Sequence, residues 1–325
     1  MRIAVDAMGG DDAPGAIVDG AVDAARQLPV SITLVGAETA VRQALSRHAD
    51  WEALAIDIVD APDVVGMADA PSTALRRPRA SIRVAAELVA RGGIGAVVSA
   101  GNTGATVMAA HAAFGMLPGV DRPALATVIP TRRRPAVLLD AGANAECRPS
   151  HLLQFAVMGA VHARLALGIE KPRVGLLSIG EEESKGNELT REAHRLLKAA
   201  PVHFIGNVEG REIYSGDADV IVCDGFTGNI VLKTSEGLVE VVDAVLGPPL
   251  RDSPAGREAF ERFRRRMDYS EYGGAPLLGV AGLVVVGHGR SSPLAVRNAI
   301  GMAARYAAGD FVRRVEREIA AATVS

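Results

Sequence analysis

The sequence has few of the residues on which several specialised protein classes depend. Only two of its 325 residues are cysteines, Cys147 and Cys223, which is too few for a disulfide scaffold. Aromatic residues make up 4%, and no apolar run approaches the ~18 residues that a membrane-spanning helix needs. The net charge of -3 provides no overall attraction to nucleic acid. We therefore expect a globular protein that binds no nucleic acid.

The familiar catalytic motifs are missing as well. The seven histidines have no metal-ligand spacing, and neither a dinucleotide fingerprint nor a true P-loop occurs, so we expect no metal and no cofactor. Neither cysteine has a neighbouring histidine, which favours two buried, inert thiols over a thiol nucleophile. The chain enters an apolar strand at once, so we expect no signal peptide and a cytoplasmic location.

What the sequence has instead is a repeated pattern of a short apolar strand, a polar glycine-rich loop and a helix. The loops span residues 6–11, 100–105, 140–144, 178–187, 224–229 and 287–291. Parallel strands of an open α/β sheet send such loops to one edge, where ligands usually bind. We therefore expect a single α/β catalytic domain over residues 1–325, with a largely parallel sheet and one site at its edge.

The segment 218–237 shows this pattern most clearly. Val220 to Cys223 form a short apolar strand, residues 224–229 contain two glycines, and apolar residues then recur at helical spacing. Unpaired N–H groups and the positive end of the helix dipole can hold an anion at such a helix start. The alternative is a tight connection that serves only the fold. The sixfold recurrence favours a site.

A basic helical segment is expected to protrude from the domain at about residues 238–272. Predicted breaks at 247–249 and 253–256 precede a predicted helix from Arg257 to Met267. From residue 251 to 267, six arginines (251, 257, 262, 264, 265 and 266) outnumber three acidic residues. Such a surface suits an acidic protein partner or an anionic membrane. The alternative is a helix packed at a dimer interface with solvated arginines.

Several long strings resemble the bacterial phosphate acyltransferases of phospholipid synthesis. They follow one another in order from residue 1 to about residue 305, which makes the resemblance specific. The strings are AVDAMGGDDAP, SAGNTGA (99–105), LDAGANAEC (139–147), HLLQFAVMGAV, GEEESKGNELT (180–190), FIGNVEGR, DGFTGNIVLKTSEG (224–237), YSEYGGAPLLG and HGRSS.

The resemblance implies that the protein moves a long-chain acyl group from acyl carrier protein to inorganic phosphate, which gives acyl phosphate. It also implies a three-layer α/β/α sandwich, like that of isocitrate and isopropylmalate dehydrogenases, and a homodimer. Acyl phosphate would pass to a membrane glycerol-3-phosphate acyltransferase. We therefore expect a cytoplasmic enzyme with peripheral contact at the inner face of the cell membrane.

Within that reaction, Lys185 is predicted to offset phosphate charge and His288 to protonate the leaving thiolate. Asn102 and Asn229 are predicted to donate hydrogen bonds to phosphate or to the thioester oxygen. Glu181–Glu183 are expected to cap the next helix or to hold Lys185. Further predicted substrate-binding residues are Gly101, Thr103, Gly104, Asn144, Asp224, Gly225, Thr227 and Gly228. The alternatives are a surface lysine, asparagines that only form their loops, and a histidine that only orients its turn.

Other functions stay open at this point. A phosphotransacetylase-like enzyme could act on acyl-CoA, and a decarboxylating dehydrogenase could share the fold, but no CoA, metal or nicotinamide site is evident. A non-catalytic binding module would not explain six polar loops. A thioester-loss assay that depends on phosphate separates these classes.

Overall fold

Twelve strands and eleven helices alternate along the residues that this computed structural model describes, 1–267 and 273–323. The strands are β1 (Arg2–Asp6), β2 (Ser31–Gly36), β3 (Ile56–Asp60), β4 (Ala96–Ser99), β5 (Ala124–Leu125), β6 (Thr127–Ile129), β7 (Ala136–Leu139), β8 (Arg173–Ser178), β9 (His203–Glu209), β10 (Val220–Val222), β11 (Ala275–Leu278) and β12 (Val284–Val286). The predicted mixed α/β class is confirmed.

The helices follow the strands in nearly regular alternation. They are α1 (Gly15–Gln27), α2 (Glu38–Leu45), α3 (Thr73–Arg76), α4 (Ser81–Ala90), α5 (Thr103–Phe114), α6 (Pro149–Leu167), α7 (Glu188–Ala199), α8 (Gly225–Arg251), α9 (Pro254–Met267), α10 (Pro293–Ala308) and α11 (Phe311–Thr323). Short 3₁₀ turns occur at Trp51–Ala53 and Gly210–Glu212. None of the described helices is both long and apolar enough to cross a bilayer.

The chain divides into two compact units, and each has its own sheet. Met1–Leu125 with Tyr272–Ser325 form the first unit, and Ala126–Glu271 form the second. The first sheet has seven strands in the order β3-β2-β1-β4-β12-β11-β5, and only the pairs of β11 are antiparallel. The second has five strands in the order β6-β7-β10-β8-β9, and only β6 is antiparallel to its neighbour. The expectation that all six loops share one sheet edge is therefore wrong, because the sequence alternation does not reveal which strands pair.

Burial on both faces explains the apolar strands. Every residue of β4, β7 and β10 is buried, as expected for central parallel strands that helices cover. In the first unit, α1 approaches α10 closely at Gly20, where a Cβ would lie 2.6 Å from that of Val296. Small residues at such positions let the covering helices pack tightly.

The helix α8 differs from the prediction at both ends. It starts at Gly225, inside the predicted loop 224–229, and it runs to Arg251, whereas the sequence predicted a break at Gly247-Pro248-Pro249. Both prolines lie in the last turn, so they remove hydrogen bonds only where the helix is about to end. The helix α9 begins at Pro254, three residues before the predicted start, and ends at Met267 as predicted. Residues 268–272, the end of the predicted protrusion, lie outside the described residues.

Candidate active site

Three predicted site loops meet at the carboxyl edge of the five-stranded sheet. The strand β10 pairs in parallel with β7 on one side and β8 on the other. The loops that follow these strands are 140–144, 178–187 and 224–229, so they leave the same edge side by side. Residues from all three loops were predicted to act on substrate, including Asn144, Lys185 and Asn229. The second unit therefore brings half of the predicted loops together.

Asp140 builds the first of these loops. Its side chain is fully buried, and its carboxylate accepts hydrogen bonds from the backbone amides of Gly142 (3.0 Å), Ala143 (2.9 Å) and Asn144 (2.8 Å). The Asn144 side-chain amide donates a fourth bond at 2.8 Å. A buried carboxylate is stable only with such partners, so Asp140 fixes the loop. Sequence analysis did not single out this residue, although an aspartate before Gly and Asn is a known turn signal.

The loop 224–229 is the capped start of α8. Asp224 accepts hydrogen bonds from the Thr227 amide and hydroxyl, both at 2.8 Å, and is thus the N-cap. The Gly225 amide donates to the carbonyl of Asn144 at 2.8 Å, and the Gly228 amide donates to the carbonyl of Asp224 at 2.9 Å. These backbone donors therefore have structural partners. Substrate contacts stay predictions for all five residues of this paragraph, namely Asn144, Asp224, Gly225, Thr227 and Gly228.

Two glycines let α8 pack directly on the loop 140–144. A Cβ on Gly225 would lie 2.7 Å from a carboxylate oxygen of Asp140, and one on Gly228 would lie 1.8 Å from its carbonyl oxygen. Any larger residue would push the helix away from the loop. The first turn of α8 and the loop therefore form one rigid element.

Asn229 lies one residue further along and faces the same loop. A Cβ on Gly142, whose φ is +134°, would lie 3.4 Å from the Asn229 Cβ and 3.5 Å from its side-chain oxygen. Asn229 is exposed, and among residues 1–267 and 273–323 its side-chain amide has no hydrogen-bond partner. The amide can therefore donate to a ligand at the sheet edge, as its predicted role requires.

Lys185 is an exposed cation in the loop after β8. Its amide donates to the carbonyl of Glu182 at 2.9 Å, and within the part of the chain that the structure describes its ammonium group has no ion-pair partner. Two of the neighbouring acids are engaged elsewhere, since Glu181 pairs with Arg211 and Glu183 with Lys198. An unpaired ammonium beside these loops suits a phosphate.

The expectation that Glu181–Glu183 cap the next helix is wrong. Asn187 is the N-cap of α7, because its side-chain oxygen accepts the Thr190 amide at 2.9 Å. Asparagine is among the best N-cap residues, and it lies directly before the helix. Glu181 and Glu183 instead pair with basic side chains, and the Glu182 carbonyl accepts the Lys185 amide, in line with the alternative that these residues hold Lys185.

Three further loops share an edge of the seven-stranded sheet in the first unit. The strand β4 lies between β1 and β12 and is parallel to both, so the loops 6–11, 100–105 and 287–291 leave one edge. The amide of Asp11 donates to the carbonyl of Gly289, and that of Gly287 to the carbonyl of Ser99, both at 2.8 Å. The prediction that strand ends gather the polar loops therefore holds within each sheet.

Both polar atoms of the Asn102 side chain form hydrogen bonds within the first unit. Its side-chain oxygen caps α5 by accepting the Ala105 amide at 3.0 Å, and its Nδ2 donates to the carbonyls of Met67 and Asp69, both at 3.0 Å. This geometry matches the loop-forming alternative, because the amide holds the segment 66–69. A direct substrate contact by Asn102 stays a prediction, as do contacts by its neighbours Gly101, Thr103 and Gly104.

His288 is oriented by its own turn. Its Nδ1 accepts a hydrogen bond from the Arg290 amide at 3.1 Å. A nitrogen that accepts cannot carry the proton, so in the neutral ring the proton lies on Nε2. His288 is half-buried, and its role as the proton donor to the thiolate stays a prediction.

A second buried carboxylate, Asp6, organises the loops of the first unit. Its carboxylate accepts a hydrogen bond from the Ser99 hydroxyl at 2.6 Å. The Ser99 hydroxyl oxygen in turn accepts a hydrogen bond from the Gly101 amide at 3.1 Å. Burial raises the pKa of the Asp6 carboxyl, although hydrogen bonds from Ser81 and Ser99 oppose the rise. Asp6, Gly101 and Asn102 line one small cavity. Sequence analysis missed this residue too, because burial cannot be inferred from an aspartate in a polar loop.

The two cysteines differ in environment. Cys223 is buried as expected, but Cys147 is only half-buried, so the expectation for Cys147 is wrong. Burial, reinforced by the negative charges of Asp224 and Asp140, raises the pKa of the Cys223 thiol well above its ordinary value. A thiolate nucleophile at Cys223 is therefore disfavoured.

Comparison with known proteins gives consistent results. A family profile described as "Fatty acid synthesis protein" matches residues 1–314. A relative from Geobacter sp. (strain M21) named phosphate acyltransferase is 51% identical over 315 residues, covering 94% of this chain and 89% of the relative. A phosphate acyltransferase from Syntrophotalea carbinolica is 52% identical over 309 residues, covering 93% of this chain and 89% of the relative.

Solved structures with a similar fold are more distant in sequence. A phosphotransacetylase from Streptococcus pyogenes has a TM-score of 0.66 at 18% identity, covering 95% of this chain and 94% of that one. The EutD phosphotransacetylase from Staphylococcus aureus has a TM-score of 0.60 at 18% identity, covering 94% of each chain. At this identity the likeness shows the fold alone.

Proposed function

This chain belongs to the fatty acid synthesis protein family and is a phosphate acyltransferase, and we propose that its acyl donor is a long-chain thioester of acyl carrier protein. The acceptor is inorganic phosphate, and the product is acyl phosphate for glycerophospholipid synthesis. The observation that carries the proposal is the pair of unpartnered donors, the Lys185 ammonium and the Asn229 amide, at one edge of the five-stranded sheet among the residues described there.

The chemistry requires positioning more than acid or base strength. Phosphate near pH 7 is already an anionic nucleophile, and a departing thiol has a pKa of about 8.5. A phosphate oxygen attacks the thioester carbonyl, the carbon–sulfur bond breaks, and the thiolate takes up a proton. The main task of the protein is therefore to hold two negatively charged groups in place.

Each proposed role uses a group whose geometry is described above. Lys185 offsets the charge of phosphate, and the Asn229 amide donates to a phosphate oxygen or to the oxyanion that forms on the thioester carbon. The predicted role of His288, to supply the proton that the sulfur takes up, is kept as part of the proposal. Asp140 holds the loop that carries Asn144, and Asp224 caps the helix start that carries Asn229.

The proposal includes a homodimer formed through α8. Leu238, Val241 and Val245 recur at helical spacing on this helix, and each is more than half exposed at 58%, 57% and 64%. An apolar stripe of this kind is costly to leave in water. A second copy of the chain would cover it with an identical stripe.

The basic helix α9 is proposed to contact acyl carrier protein or the anionic inner leaflet. Arg264 pairs with Asp243 of α8 at 3.2 Å, and Arg266 donates to the carbonyl of Thr131 at 2.6 Å, so both have structural partners. Arg262 and Arg265 are exposed, and within residues 1–267 and 273–323 neither has an ion-pair partner. They are the arginines free to attract an acidic surface. A membrane glycerol-3-phosphate acyltransferase is the proposed consumer of the product.

One assay tests the reaction. Purified protein is incubated with acyl carrier protein thioester, and free thiol is followed with and without phosphate, with a chelator present throughout. Thiol should appear only with phosphate. Release that ignores phosphate would overturn the proposal. Faster release from acyl-CoA than from the carrier-protein thioester would favour the phosphotransacetylase-like alternative.

A further inference from the structure

A buried asparagine reaches the loop that carries Lys185. Asn207 lies on β9 opposite Leu176 of β8, and its Nδ2 donates to the carbonyl of Glu182 at 2.9 Å. The same carbonyl oxygen accepts the Lys185 amide, also at 2.9 Å. One carbonyl oxygen thus connects the Asn207 side chain to the turn that sets the backbone of Lys185. We call residues 179–187 the Lys185 loop.

A buried histidine fixes the orientation of the Asn207 amide. The Nδ1 of His194, on α7, lies 2.9 Å from the side-chain oxygen of Asn207. That oxygen can only accept, so His194 Nδ1 carries a proton and donates it. The His194 ring meets Phe204 edge-on, with ring centroids 5.0 Å apart. Asn207 and His194 are only 9% and 5% exposed, so water competes little for these bonds.

Apart from the buried His194, whose Nε2 lies 3.8 Å from the Glu183 carboxylate, the other side-chain attachments of the Lys185 loop lie at the surface. The ion pairs of Glu181 with Arg211 and of Glu183 with Lys198 join side chains that are all more than half exposed. Arg191 also donates to the carbonyl of Gly186, in an exposed position. Exposed pairs of this kind contribute little to stability because water and salt screen them, whereas a buried polar group that loses its partner is costly. The buried Asn207 bond is therefore the attachment that most restricts the loop.

We propose that Asn207 is a positioning residue for catalysis, held in orientation by His194, which places Lys185 for phosphate. The inference rests on the proposed function, because it gives Lys185 its task. Asn207 itself touches no substrate. Its loss should therefore act through Lys185, and should affect the use of phosphate more than the use of the acyl thioester.

Asn207→Asp is the variant that tests this most directly. A carboxylate keeps the shape and still accepts from His194, but it places an oxygen against the Glu182 carbonyl, where the amide had donated. We expect kcat/KM for phosphate to fall at least tenfold, while KM for the acyl thioester changes less than twofold. The control Lys198→Ala removes only an exposed ion pair and should stay within twofold of wild type. Unchanged phosphate kinetics in folded Asn207→Asp would overturn the inference.

A double-mutant cycle separates positioning from simple destabilisation. In a Lys185→Ala background, Asn207→Asp should lower the rate by less than a further twofold, because the residue it positions is gone. Losses that multiply as if independent would contradict the proposal. If Asn207→Asp does not fold, Asn207→Ser, which removes the donor without adding charge, takes its place in the cycle.

Limited trypsin digestion gives a result that does not depend on activity. Cleavage between Lys185 and Gly186 should be several-fold faster in Asn207→Asp than in wild type. Cleavage after Arg26 in the first unit should stay unchanged. Equal cleavage at Lys185 would refute the positioning role even if the enzyme used another acceptor. If wild type shows no phosphate-dependent thiol release, the proposed function fails instead, and the digestion still reports on the loop.

Discussion

Replacing Gly228 by alanine should disrupt the contact between α8 and the loop 140–144. A Cβ at this position would lie 1.8 Å from the carbonyl oxygen of Asp140, whereas real Cβ atoms essentially never come within 3.0 Å of such an atom. The helix backbone fixes the position of the added Cβ, and the Asp140 oxygen is itself a backbone atom, so no flexible side chain can move aside. The helix start or the loop must shift by more than an ångström.

The expected magnitude follows from this overlap. Forcing an extra methyl group into a packed site typically costs about 1–3 kcal/mol, and the better helix propensity of alanine returns at most about 1 kcal/mol. The shift also moves Asn144 and Asn229, and a misplacement of about 1 Å can lower a rate about 100-fold. We therefore expect a modest loss of stability and a large loss of activity.

The matched control is Gly237→Ala in the same helix, because no heavy atom lies within 4 Å of the added Cβ there. This variant should be as stable as wild type or more stable by up to about 1 kcal/mol. Urea unfolding and phosphate-dependent thiol release measure both variants. The reasoning is refuted if Gly228→Ala keeps wild-type stability and activity. It is also refuted if Gly237→Ala loses as much stability and activity as Gly228→Ala.

Three further predictions concern the site and the basic helix. Lys185→Ala should lower kcat/KM for phosphate by about 100- to 1,000-fold, the usual loss of an anion or oxyanion donor, and a loss below tenfold in a folded variant would remove Lys185 from the site. Cys147 and Cys223 changed together to Ala should keep most turnover, and an inactive but folded double variant would revive a thiol mechanism. Arg262 and Arg265 changed together to Glu should weaken binding to acyl carrier protein or to anionic vesicles at low salt, with Arg264→Gln as the comparison that breaks an internal ion pair. The difference from wild type should fade as salt rises, and no difference at low salt would make α9 purely structural.

The local order of strand, loop and helix was predictable because it depends on short-range patterns. Val220 to Val222 and Ala136 to Leu139 read as buried strands, and glycines mark the loops that follow. The division into two sheets was not predictable, since pairing joins strands far apart in the chain. The neighbouring strands β5 and β6 show this, because only Ala126 separates them and yet β5 belongs to one sheet and β6 to the other.

The candidate site shows the same limit at the level of single residues. Asn102 and Asn229 look equivalent in the sequence, each beside a glycine in a polar loop. The partners of Asn102 are carbonyls more than 30 residues away, at Met67 and Asp69, and no local signal announces them. Asp140 and Asp6 act as loop organisers only because the fold buries them, and burial is a tertiary property.

The most direct test of the account is to identify the product. Phosphorus NMR of a reaction with acyl carrier protein thioester and phosphate should show one acyl phosphate formed for each thiol released, and the Lys185→Ala variant should form it far more slowly. Thiol release accompanied by free fatty acid, with no acyl phosphate at any time, would contradict the account.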